Sequence, residues 1–254
     1  MKDINNCNNL KSGYTEIDQM LGGFKVGVYL IVARPGMGKT MFALNLAHRF
    51  LQNINSEEDI LYLADTQNFQ NLELKFKSLD IQVAFKDLES GTEEHLSESQ
   101  SKTSYSQPTN LLLFGQEDVS IENIRARIAA IQANGRNLKV IFIDSLEGLN
   151  FGRSKISDLN LLSKELEVPI FYTIPLGRKV EYRRSKLPQI KDLNKNIVAN
   201  SDKVFFLLRP AYYNNDLYDD KNGFQDLQVI IQDNLDNSET IVLKLKVSTQ
   251  TIFH

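Results

Sequence analysis

"ARPGMGKT", residues 33–40, stands between a continuous apolar run and an amphipathic one. The run before it, "VGVYLIVA" (26–33), is rich in β-branched residues, the pattern of a strand buried on both faces. The stretch after it, "MFALNLAHRFLQ" (41–52), carries Phe42, Leu46 and Phe50 at helical spacing. Strand, glycine turn and helix in that order match the phosphate-binding loop, with Ala33 in place of its first glycine and Gly38, Lys39 and Thr40 at the remaining fixed positions.

Physical chemistry accounts for the spacing. Gly36 and Gly38 let successive backbone N–H groups turn toward phosphate oxygens, and the helix that follows offers its positive end to the same anion. Lys39 is placed to neutralise the β and γ phosphates and the Thr40 hydroxyl to ligate magnesium. Ala33, Arg34, Pro35, Gly36, Met37, Gly38, Lys39 and Thr40 are therefore the candidate binding residues for ATP with Mg2+. A second stretch supplies a partner. "KVIFIDS" (139–145) is a strongly apolar strand ending in Asp144, which can hold the magnesium shell opposite Thr40. Alone, an aspartate after a strand is as readily a turn or cap residue; the phosphate loop selects the metal role.

The rest of the chain repeats the α/β rhythm. "YTEIDQML" (14–21) reads as a short helix ended by Gly22 and Gly23, "DILYLAD" (59–65) as a second buried strand, and "NLLLF" (110–114) as a third. "SIENIRARIAAIQANG" (120–135) is a helix with Ser120 as N-cap and Gly135 as terminator. A helix over 156–167 and a strand at "VPIFYTI" (168–174) follow, then strands at "KVFFLL" (203–208), "LQVIIQ" (227–232) and "IVLKLKV" (241–247), the last two reading as a hairpin. Strand, crossover helix and strand predict a mostly parallel central sheet flanked by helices, with antiparallel strands at its C-terminal edge. Residues 88–109 are acidic, serine-rich and poor in aliphatics, a mobile surface insertion in a single domain spanning 1–254, with a flexible segment over 1–9.

Composition narrows the function classes. Lys+Arg 29 against Asp+Glu 32 gives a net charge of -3, so any basic surface is local. A single cysteine, Cys7, rules out an internal disulfide and suits a reducing, cytoplasmic setting. No apolar run approaches the ~18 residues of a membrane span, so no membrane partner is expected. His48, His95 and His254 lack ligand spacing, which leaves zinc and Ser/His/Asp chemistry without support.

Several segments, in order, resemble one family. "SGYTEIDQMLGGFKVGVYLIVARPGMGKTMFALNLA", "SIENIRARIAAI", "VIFIDSLEGL", "LSKELEVPIFYTIPLGRKVEYRR", "DLNKN" and "SDKVFFLLRPAYY" are similar to the C-terminal RecA-type ATPase domain of DnaB-type replicative DNA helicases, over about 10–253. The resemblance implies a RecA-like P-loop NTPase fold, a hexameric ring, ATP between neighbouring subunits and single-stranded DNA through the centre. It covers the motor half only; the family's N-terminal helical domain, which supports the ring and recruits primase, has no counterpart here. The basic loop "GRKVEYRRSK" holds Arg178, Lys179, Arg183, Arg184 and Lys186, which the resemblance implies face the DNA strand. An exposed basic loop at a domain edge is the plainer reading of the same residues, and Arg153 and Lys155 are a weaker second cluster.

The chain also departs from its family. The general-base glutamate falls on Asp65 or Thr66; Asp65 is one methylene shorter, and misplacing the attacking water costs on the order of a hundredfold in rate. Pro175 replaces a glutamine sensor, and Gln232 and Asn234 replace the lysine and arginine that the family's late hairpin projects into the next subunit. The stretch after "DL" is about two residues short and lacks the acidic signature before Ser201. Two readings result. One is an ATP-driven helicase motor acting in DNA replication; the other is a degenerate relative that binds ATP, turns it over weakly, and binds DNA or a helicase ring. A RadA- or KaiC-like recombinase-class ATPase is a third, since "GYTEIDQMLGG" occurs there too.

Overall fold

The computed structural model describes residues 9–90, 108–116, 120–144, 155–214, 217, 223–233, 235 and 237–253. The predicted excursion falls outside these residues for 91–107, as do 1–8 of the N-terminal segment, while 88–90 close a short helix rather than opening a loop.

Helix α1 (Thr15–Leu21) is followed by β1 (Gly27–Ala33), α2 (Lys39–Leu51), β2 (Glu58–Asp65), α3 (Thr66–Ile81), α4 (Phe85–Ser90) and β3 (Leu111–Gln116). Then come α5 (Ile121–Ala133), β4 (Asn137–Asp144), α6 (Lys155–Leu166), β5 (Pro169–Pro175), a short helix α7 (Lys195–Ala199), β6 (Lys203–Leu208), β7 (Phe224–Gln232), β8 (Ser238–Lys246) and β9 (Thr251–Phe253). One sheet runs in the order β3-β2-β4-β5-β1-β6-β7-β8-β9. The first six strands of that order pair in parallel and the last three add antiparallel, as the strand and helix spacing predicts.

Burial on two sides explains why the apolar runs are continuous. In β1, Tyr29, Ile31 and Ala33 enter one core while Val28, Leu30 and Val32 enter the other. Phe42, Leu46 and Phe50 of α2 cover the first face, joined by Leu72, Phe76 and Leu79 of α3. Ile124, Ile128 and Ile131 of α5 and Leu159 and Leu162 of α6 cover the second. The ends of α5 are set as its sequence dictates: the Ser120 side chain accepts from the Asn123 N–H, and Gly135 takes a left-handed φ of 74° just beyond the last turn.

Helices α3, α4 and α7 and strand β9 escape the periodicity reading. Helix α3 opens on the polar run "TQNFQN", yet Leu72, Phe76 and Leu79 recur at spacings of four and three and are no more than 3% exposed. Strand β9 has three residues, too few to show a period.

The C-terminal strands are tied to the helix that follows the phosphate loop. Asn45, 3% exposed on α2, donates from Nδ2 to Met41 O at 2.8 Å and Gln250 O at 2.9 Å, and its Oδ1 accepts from the Ile252 N–H at 2.9 Å. Replacing this amide with an apolar side chain strands a buried carbonyl and a buried N–H together. Asn45→Leu is therefore expected to lower unfolding stability by about 2–3 kcal/mol with an unchanged denaturant slope, measured by urea titration.

Candidate functional site

The loop between β1 and α2 sits at the carboxyl edge of the sheet, next to the end of β5. Ala33 pairs with Pro175, and the Leu176 N–H donates to Ala33 O at 2.8 Å. Gly36 and Gly38 adopt φ of +81° and +93°, a region that side chains rarely enter. Space closes the same positions: a Cβ on Gly38 would lie 2.5 Å from Met41 Cε, and one on Gly36 would lie 3.3 Å from Tyr212 Cε2. Met37, 1% exposed, plugs the loop into the core. Gly38 caps α2 without a side-chain hydrogen bond, and the first turn of that helix carries no acid. The positive end of the helix is thus not neutralised by a side chain of its own first turn, a setting that favours an anion.

Lys39 Nζ donates to Ala33 O at 3.2 Å, folding the ammonium over the loop. Beside it lies Asp144, only 4% exposed at the end of β4. Thr173 of β5 donates to Asp144 Oδ1 at 2.8 Å, and Tyr62 of β2 donates to Oδ2 at 3.3 Å. The Thr40 side chain is a further hydrogen-bond partner of this carboxylate. Burial pushes the Asp144 carboxyl above its ordinary range, against the opposing pull of Thr40, Thr173, Tyr62 and the Lys39 charge. Burial and the neighbouring carboxylate likewise push the Tyr62 phenol well above its ordinary value. The two metal candidates, Thr40 and Asp144, thus already meet. A hydroxyl and a carboxylate in contact are the donor set that a magnesium ion shared with phosphate oxygens requires. Asp65 ends β2 one step beyond Ala64, the residue in register with Asp144.

A cleft of about 320 Å³ opens from the loop, within the size range of nucleotide-scale pockets. Gly36, Gly38, Lys39, Thr40 and Met41, of the loop and first helical turn, line it together with Lys75, Arg209, Leu245, Val247 and Gln250. Arg209 is a contributor that the sequence motifs do not reveal. It follows β6, donates from Nη1 to Gly36 O at 2.8 Å, and holds its Nε buried without a partner among the described residues. Burial lowers its pKa, so an anion in the cleft meets a partly desolvated cation. The signals for Thr173, Tyr62 and Arg209 were faint: a threonine and a tyrosine inside apolar strand runs, and one arginine directly after a strand.

The side chain of Arg34 is engaged within the domain. Its Nε pairs with Glu181 Oε1 at 2.9 Å and its Nη1 donates to Leu176 O at 2.8 Å, which ties the phosphate loop to the turn after β5. That turn carries the basic loop, and the five cations divide. Arg178, Lys179 and Arg184 are exposed. Arg183 pairs with Asp192 and donates to Leu187 O, and Lys186 donates to Glu181 O. Lys155 opens α6, and Arg153 lies outside the described residues.

The replaced positions also have places. Pro175 ends β5 beyond Tyr172, the last residue of that strand paired with β4, so its missing N–H costs no bond on that side. Gln232 Oε1 accepts from the Ile190 N–H at 3.0 Å, which turns this side chain back on its own domain. Asn234 lies outside the described residues. Among the described residues no helix is long and apolar enough to cross a membrane, and no group of three or more His, Cys, Asp or Glu side chains is placed to hold a metal.

A central parallel strand feeding a glycine loop and helix, with a buried acid two strands away, defines a RecA-like ATPase domain. Likeness to known proteins extends this to a family. A model of the DnaB-like helicase C terminal domain matches residues 9–252, and the chain belongs to that family. It is similar to the replicative DNA helicase DnaB of Geobacillus stearothermophilus, 30% identical over 223 residues that take in 82% of this chain and 48% of the relative. Among solved structures, one ATPase domain superposes with a TM-score of 0.77 at 26% identity, over 97% of this chain and 91% of that one. A DnaB-like replicative helicase, described with its interactions with primase, gives 0.80 at 25% identity over 96% and 63%. The chain spans about half the length of the curated relatives it matches.

The hairpin turn after β7 supplies a pH test. Asp233 accepts from Asn237 Nδ2 at 3.0 Å, from the N–H groups of Leu235 and Asn237 at 2.9 and 3.1 Å, and from Lys203 Nζ at 3.2 Å. The Asn237 amide first, then the backbone donors and Lys203, hold its carboxyl down to about 2. Its folded pKa lies below the unfolded value of about 3.9, so this stabilisation is present above pH ~4 and drains away as pH falls toward 2. After solvent screening it amounts to about 1 kcal/mol. Urea titrations are expected to show that loss in the parent chain, and Asp233→Ala to lack it.

Proposed function

We propose that this domain binds ATP with Mg2+ in the cleft at the end of β1 and couples its hydrolysis to movement along single-stranded DNA. The work done is duplex unwinding in replication, within a hexameric ring of identical subunits in the cytoplasm. One observation carries the reading: the Thr40 side chain and the buried Asp144 carboxylate are already in contact beside a glycine loop and Lys39. These residues bring a hydroxyl, a carboxylate and an ammonium to one point at a helix N-terminus, the set that polyphosphate with a divalent ion requires.

Each residue then has one task. The amides of 36–40 hold the phosphates, Lys39 balances charge between the outer two, and Thr40 and Asp144 hold the metal. Arg209 and the apolar pair Leu245 and Val247 border the part of the cleft where the rest of the nucleotide lies. Asp65, at the end of the strand next to that of Asp144, is the base that orients water, and the exposed Arg178, Lys179 and Arg184 meet DNA phosphates. Members of the family named as replicative helicases support this assignment.

A second reading is favoured by Gln232, whose amide is occupied by Ile190 within its own domain. A neutral side chain so held, at the family's lysine position, supplies no charge to a neighbouring subunit; Asn234 stands where the family has its arginine finger, whose removal costs a factor of a thousand or more. On this reading the chain binds nucleotide, turns it over weakly alone, and attaches to DNA or to a helicase ring whose subunits supply the cation.

Steady-state ATP hydrolysis, with and without single-stranded DNA at low salt, separates the two. DNA-stimulated turnover by the purified chain supports the motor, and nucleotide binding without it supports the second reading. Lys39→Ala is expected to weaken Mg-ATP binding roughly a hundredfold by calorimetry, because the triphosphate loses its charge partner at the loop. Unchanged affinity in that variant would sink both.

A further inference from the structure

The basic turn carries an aromatic ring that the phosphate-contact reading does not use. Over Arg178–Tyr182 the chain makes a tight turn anchored by Val180, 2% exposed, and this leaves Tyr182 84% exposed. It is the most exposed large apolar side chain among the described residues. Its backbone is nonetheless held on both sides. Glu181 before it pairs with Arg34, and its carbonyl accepts from Lys186; Arg183 after it pairs with Asp192 and donates to Leu187 O. A ring presented to water on a fixed support loses little freedom when something stacks on it.

The charge around the ring identifies the occupant. Residues 178–192 hold six cations and two acids, in a chain whose net charge is -3. Both acids are already paired, Glu181 with Arg34 and Asp192 with Arg183, while Arg178, Lys179 and Arg184, all close to Tyr182 in sequence, stay exposed. Uncompensated cations around an exposed aromatic face fit a polyanion whose flat groups are accessible. Duplex DNA hides those groups in its stack; an unpaired strand presents them.

We propose that Tyr182 is a stacking platform for a base of single-stranded nucleic acid, with Arg178, Lys179 and Arg184 on the flanking phosphates. This rests on the DNA reading above and adds to it a contact to the base. Stacking is sequence-tolerant, because every base has a π face, so the platform grips a moving strand without reading it.

The test is fluorescence anisotropy of the whole chain with a labelled oligothymidylate and with a duplex of equal length, across a salt series from about 50 mM. Tyr182→Ala is expected to weaken single-strand binding roughly tenfold, leaving the slope of log affinity against log salt unchanged, while Tyr182→Phe binds as the parent does. Duplex binding should not distinguish the three proteins. Equal single-strand affinity in Tyr182→Ala overturns the platform and spares the DNA reading. A changed salt slope, or a Tyr182→Phe as weak as the alanine variant, overturns it also, since the ring then acts through phosphate or through its hydroxyl. If the parent itself fails to bind the strand at low salt, the DNA reading falls and the platform with it. A duplex affinity that drops in parallel shows that the ring serves a contact common to both forms rather than an unpaired base, and overturns the proposal.

Discussion

A carboxylate deprived of water has to be satisfied by its neighbours, and Asp144 draws its partners from three separate elements: Tyr62 of β2, Thr173 of β5 and Thr40 of α2. This meeting is possible only because β4 lies between β2 and β5 in the sheet, with Ala64 in register with Asp144. A one-residue slip in either ladder would send Tyr62 or Thr173 to the opposite face, leaving the acid buried beside apolar carbons. The register of three strands and the geometry of the phosphate loop are therefore fixed by one another. Burial holds the Asp144 pKa up, and the same dry surroundings strengthen any cation that replaces the Thr40 contact.

How far this was legible differs from element to element. The loop at 33–40 and the α/β rhythm could be read because each depends on local spacing: glycines at fixed offsets, β-branched runs, a serine before a helix and a glycine after it. Asp144 was legible as a strand-end acid for the same reason. Thr173 and Tyr62 were not, although both stand out as polar groups in apolar runs, because their role depends on which strands become neighbours. The order β3-β2-β4-β5-β1 is set by crossover connections that leave no mark in a single strand. Arg209 is hidden likewise, since "LLRP" shows a cation but not that it returns to Gly36 O. The polar opening of α3 masked a helix that buries Leu72, Phe76 and Leu79.

The basic loop shows a different limit. A count of cations over 178–186 treats all five alike, and the charges could not be apportioned without knowing where Glu181 and Asp192 lie. Folding divides them by function. Arg183 and Lys186 secure the turn, and Arg178, Lys179 and Arg184 are left at the surface. A salt-dependent affinity that follows the number of exposed cations is accordingly smaller than the composition of the loop suggests.

The Arg34 to Glu181 pair brings the two ends of the domain's proposed work within one side chain of each other. Arg34 belongs to the phosphate loop by position and to the turn after β5 by its contacts, with Leu176 O as a second anchor. On the other flank, Arg209 holds Gly36 O and Tyr212 lies over the same glycine. The loop is thus braced from both sides by groups outside it, and any rearrangement that phosphate imposes on 34–38 must strain or release one of these braces. Strain released through Arg34 arrives at Glu181, the residue bonded to Tyr182. Strain released through Arg209 arrives at β6 and the sheet's antiparallel edge. Both braces hold the loop in the one arrangement the structure shows, so a shift that phosphate imposes there is shared by the turn after β5 and by the end of β6.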